Sequence, residues 1–157
     1  MSLAALEPYV VFAQRPDARV EIDAWTAHAE RFFATRLGLA EAARVRSDAP
    51  WPTSDRARFV VAPEGTRGDA GIREAEARPT TEADRERAER ADKGGGLALL
   101  VRRCPMVWTV TREAADDPLA LRLAAILSSV LLGPVIDPVA GDLIGAKTAR
   151  ERLAARR

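Results

Sequence analysis

The apolar positions of this chain fall into short runs and one-sided stripes that alternate from the N-terminus onward. Residues 9–13, Tyr-Val-Val-Phe-Ala, are an unbroken β-prone run after Pro8 and predict a buried strand. Arg15-Pro16-Asp17-Ala18 marks a turn. Ile22, Trp25, Ala29, Phe32, Phe33 and Leu37 then recur at three- and four-residue spacing. That period predicts a helix over 24–37, with Asp23 as N-cap and Gly38 just past its end. A stripe with two Phe and a Trp needs a broad apolar partner, most simply a sheet. Residues 39–45 read as a further helical turn or two, Pro50-Trp51-Pro52 breaks the chain, and 58–62 reads as a second strand.

The pattern then changes. Between residues 64 and 93, 16 of 30 positions are charged, and Ile72 is the only large apolar one, too little to build a core. The segment 64–96 is therefore expected to be a charged, solvent-exposed insertion within one α+β domain spanning 1–157. It would hold a loop and a surface helix over 81–93, opened by a capping-box-like Thr81-x-x-Asp84 and closed by Gly94-Gly95-Gly96.

Apolar runs resume at 97–101 and 106–111. They predict two strands joined by a tight turn, or one long strand with a bulge at Cys104-Pro105. Asp117-Pro118 opens a helix, with Asp as N-cap and Pro in its first turn. Leu119, Leu123, Ile126, Leu127, Val130 and Leu131 form its main face, and Gly133 ends it. Val135-Ile136, the turn Asp137-Pro138-Val139-Ala140-Gly141 and Leu143-Ile144 read as a hairpin, followed by a basic helix over 147–157. The predicted fold class is α+β. Two strand-helix-strand halves form a mostly antiparallel sheet with helices on one face, a ferredoxin-like sandwich being one such arrangement.

Composition narrows the function classes. With 24 basic and 23 acidic residues the net charge is +1, so no global field favours nucleic acid or an anionic membrane. One Cys and one His exclude an intrachain disulfide and a Cys/His zinc cage. No metal or other cofactor is expected. Lys93 and Lys147 are the only lysines, so 22 of the 24 basic residues are Arg. That bias, with abundant Ala, points to a GC-rich bacterial genome. The longest apolar stretch, 119–132, is interrupted by Arg122 and is shorter than the roughly 20 residues of a membrane span. No secretory signal is read at the N-terminus. The expected location is the cytoplasm.

The candidate chemistry is thin. Cys104 is the one thiol, Arg102 and Arg103 beside it would favour its thiolate, and His28 is the only imidazole that could serve it. Asp137 follows a strand, where site carboxylates gather, but an Asp-Pro turn also uses that group to bond its own backbone. Trp51, between two prolines, is either a lid on a sheet edge or an exposed binding anchor. The basic C-terminal helix suits a helix end, an acidic partner or a phosphate. The expected function is a small protein-binding module without catalytic activity: an adaptor, an assembly component or an immunity-type protein. A second copy of the chain is one candidate partner. The alternatives are a small hydrolase or transferase using Cys104 or Asp137, and a regulator binding an anionic ligand through Arg102, Arg103 and Arg112.

Overall fold

The computed structural model describes residues 6–40, 56–65 and 70–155. In chain order its elements are β1 (Tyr9–Ala13), α1 (Ile22–Phe33), β2 (Thr35–Leu39), β3 (Arg56–Pro63), β4 (Gly71–Pro79) and α2 (Glu82–Ala91). Then come α3 (Leu97–Val101), β5 (Met106–Val110), α4 (Pro118–Leu131), β6 (Val135–Asp137), β7 (Asp142–Ile144) and α5 (Ala146–Ala154). All the strands join one antiparallel sheet in the order β2-β3-β4-β5-β1-β6-β7. The α+β class follows directly.

Strand β1 is buried at every position because β5 and β6 flank it and both of its faces are covered. Tyr9, Val11 and Ala13 face the main core, which α1, α4 and α5 close. Trp25 of α1 stacks on Phe59 and meets Trp108 edge-on, each at a centroid distance of 6.0 Å. Such pairs add about 0.5–1.5 kcal/mol beyond their buried area. Val10 and Phe12 face the opposite way and join Val107, Ile136 and Leu143 beneath α2 and α3. The helices, expected on one face, thus occupy both. The chain leaving α4 passes tightly against the sheet: a Cβ on Gly133, just past the helix end, would lie 1.8 Å from the Phe12 carbonyl oxygen of β1.

The two strand-helix-strand halves are β1-α1-β2 and β5-α4-β6, and they interlock. β1 lies between β5 and β6, while β5, β4 and β3 lie between β1 and β2. Without the β3–β4 hairpin and β7 the order would be β2-β5-β1-β6, an interlocked β-α-β-β-α-β unit. The hairpin separates this sheet from a plain ferredoxin-like one.

Several expectations need correction. Segment 64–96 is not wholly outside the core: β4 sits in mid-sheet, with Ala75 and Ala77 buried beside Val110 and Trp108. Helix α2 does carry the Thr81–Asp84 capping box, and it buries Ala88 and Ala91. Residues 97–101 form helix α3, not a strand, so neither reading of the Cys104 turn holds. Helix α1 ends at Phe33, where Ala34 adopts a left-handed conformation (φ 47°), and Leu37 reaches the core from β2. Asp23 sits in the first turn of α1 and is not its cap. The expected features at 41–55, including Trp51, lie outside the described residues. The Asp117 N-cap and the 135–144 hairpin are as expected.

Candidate functional site

Three helix ends and one strand connection meet at one end of the sheet. The last turn of α1, the first turn of α4, the last turn of α5 and the β3–β4 connection border an open cleft of about 1210 Å³. Its walls differ in chemistry. On the side of α4's first turn, Arg73 is fully engaged. Its Nε and Nη2 donate to the two Asp117 carboxylate oxygens at 2.8 and 2.9 Å, and its Nη1 lies 2.9 Å from a Glu113 oxygen. Burial pushes the Asp117 carboxyl up, but Arg73 and the backbone N–H groups of Glu113 and Ala120 outweigh that and hold it below the usual range. On the floor, Arg122 Nη1 donates to the Phe33 carbonyl and the Thr35 hydroxyl, satisfying the C-terminal end of α1.

Arg31, Phe32, Phe33 and Arg150 also line the cleft, and His28, outside the lining, packs against both rings. The Arg31 guanidinium lies 5.1 Å from the centroid of Phe32, and Phe32 lies 4.6 Å from His28. His28 is 6.0 Å from Phe33, and Arg150 of α5 lies 5.5 Å from Phe33. The chain folds this way because α1 stops at Phe33. No following helical turn covers its last residues, so Phe32 is left 43% exposed while Phe33 is buried. His28 Nε2 and Ser129 Oγ share a 2.7 Å hydrogen bond that ties α1 to α4. Burial, and then the Arg150 charge, lower the His28 pKa and so favour the neutral ring.

The distance between His28 and Ser129 suits a base and a nucleophile, yet among the described residues no carboxylate pairs with His28 to orient it. The structure does not bring His28 to Cys104 either: they lie on opposite faces of the sheet. Cys104 is buried, donates to the Leu100 carbonyl at 3.4 Å, and burial pushes its thiol up to about 11. Asp137 is 2% exposed. It accepts from the Val139 and Ala140 N–H groups of its own turn and from Arg152 Nη1 at 2.6 Å. The turn and α5 therefore absorb that carboxylate.

Arg102 and Arg103 precede β5 and are exposed, whereas Arg112 follows it, so the three are not gathered. Arg112 donates to the Glu7 and Ala115 carbonyls and fastens two loops. The cleft residues Arg31 and Phe32 were not legible as a site. Phe32 sits about 60° from the centre of the α1 stripe at 3.6 residues per turn, a marginal position that the stripe reading assigns to the core. Among the described residues no cluster of three His, Cys, Asp or Glu groups is placed to hold a metal, and no helix is long and apolar enough to cross a membrane. Comparison with protein-family models, with curated proteins and with solved structures finds no match.

Proposed function

We propose that this chain is a small protein-binding module without catalytic activity, working in a bacterial cytoplasm, and that its partner docks at the mouth of the cleft. One observation carries the reading: Phe32 stands outward on the cleft wall beside Arg31, with Arg150 on the neighbouring ring. Aromatic and arginine side chains together are the composition of binding hot spots. The polar groups with catalytic potential support it from the other side. Cys104, Asp137 and Asp117 are each held by the fold's own hydrogen bonds.

The test compares the full chain with Phe32→Ala as baits in the same lysate of the native host. A partner should be retained by the parent chain and reduced at least tenfold by the variant, with the melting temperatures nearly equal. The close melts follow from the partial exposure of Phe32, since such sites change stability by about 0.5 kcal/mol. Equal retention by both baits would remove the cleft mouth as the docking site.

A further inference from the structure

Two guanidinium groups on the cleft wall differ from most of the molecule's described arginines. Arg73, Arg78 and Arg152 each make a two-pronged contact with a buried or half-buried carboxylate. Arg31 and Arg150 are exposed, and what holds each is an aromatic face: Phe32 at 5.1 Å and Phe33 at 5.5 Å. A guanidinium stacked on a ring keeps its N–H edge directed outward and loses little further freedom when that edge is used. Both cations and both rings line the same cleft, and of the two rings Phe32 is the exposed one. Lys147 is also exposed, three residues before Arg150 on α5.

We propose that these two guanidinium groups form a carboxylate-binding site for an acidic segment of a partner protein, with an apolar partner side chain resting on Phe32. The inference deepens the docking reading above and rests on it. Charge complementarity decides the occupant. The other acids lining the cleft are Glu64, Glu113, Asp116 and Asp117, and those on the same helices are Asp23, Glu30 and Glu151. Glu113 and Asp117 are engaged by Arg73, and Asp116 also has an interaction of its own. Among the described residues no carboxylate forms an ion pair with Arg31, Arg150 or Lys147, so their N–H groups remain open to an acidic partner. Planar guanidinium groups match carboxylates edge to edge, which favours Asp and Glu side chains over a diffuse anionic surface.

The experiment titrates the full chain with a short fluorescein-labelled peptide of glutamates around one tyrosine, followed by anisotropy. A lysine counterpart and a single-stranded RNA oligomer are run beside it. The glutamate peptide should bind and the lysine peptide should not. Raising salt from about 0.05 M to about 0.5 M should weaken binding on the order of tenfold, because the contact is exposed and screened. Arg31→Glu and Arg150→Glu should each weaken it at least tenfold, and the double reversal should acquire affinity for the lysine peptide. If a reversal perturbs the melt, Arg31→Gln with Arg150→Gln replaces it, with the same loss expected.

No binding of the glutamate peptide, binding unchanged by the substitutions, or tighter binding of the RNA would each overturn the proposal. Failure here is separable from failure of the docking reading. A partner lost by Phe32→Ala but retained by Arg31→Glu and Arg150→Glu leaves the docking site standing and removes the acidic partner.

Discussion

Cys104 shows how far neighbours in sequence mislead about a single residue. Arg102 and Arg103 beside it suggest a stabilised thiolate, but α3 turns both arginines to solvent and the sulfur inward, 1% exposed, under the second face of the sheet. Desolvation then dominates, and the thiol rises to about 11. At pH 8 that leaves about one thiol in a thousand ionised. A thiol probe should therefore label the native chain orders of magnitude more slowly than the denatured one, and native labelling should stay slow through neutral pH. Fast native labelling that climbs between about pH 6 and 7 would contradict the burial and revive a reactive cysteine. Phe32 is the converse case. Its type and spacing say core, and it is partly exposed only because Ala34 ends the helix two residues later. A left-handed alanine leaves no mark in an apolar pattern, so this part of the candidate site was not legible.

At the scale of elements, two segments depart from their expected state for different reasons. Residues 97–101 are five apolar residues in a row, and a run that short fits a helical turn as well as a strand. In β4 the charged residues Glu74, Glu76 and Arg78 alternate with Ala75 and Ala77, a period of two with small residues inward. The alanines lie opposite Val110 and Trp108 in register, so the bulk on that face comes from β5. The signal was present but faint, because alanine scores low on an apolar scale. Capping chemistry was legible, since it depends on residue type at fixed spacing. The Thr81–Asp84 box gains a further contact that spacing did not reveal: Arg78 at the end of β4 grips Asp84 with both outer nitrogens. Burial pushes the Asp84 carboxyl up, but the Arg78 and Thr81 hydrogen bonds outweigh it and hold the pKa at about 2, below its ordinary 3.8. Because the folded value is depressed, the stabilisation is fully present above about pH 4 and is lost as pH falls through 2. Asp84→Asn should therefore destabilise by about 1 kcal/mol at pH 7, a cap-sized effect tempered by the exposure of Arg78. Denaturant melts of parent and variant should converge as pH approaches 2. A gap that persists there would mean the loss is not electrostatic.

At the scale of the whole molecule, the sheet order makes each half of the chain dependent on the other. The element sequence was largely readable, but the order was not, because periodicity records which face is buried and is silent about which strand lies alongside. Residues 1–65 supply β1, α1, β2 and β3, and residues 66–157 supply the rest. In the first fragment β1 would lose both neighbours, since β5 and β6 belong to the second. In the second fragment β5 and β6 would face a vacant strand position, and Val107 and Ile136 would lose Phe12 and Val10 beside them. Neither piece keeps a closed core, and the pairings that close it are distant in sequence, so folding waits on long-range contacts. The chain divided in the β3–β4 connection should therefore yield two fragments that are each largely unfolded alone by circular dichroism. Mixed or co-expressed, they should assemble one to one and melt in a single cooperative transition, at a lower temperature than the intact chain and dependent on concentration. The parent should show one transition by both far- and near-ultraviolet signals. A second fragment that folds cooperatively without the first would show that β1 is not the keystone of the sheet, and a two-step melt of the intact chain would show that the halves are separate units.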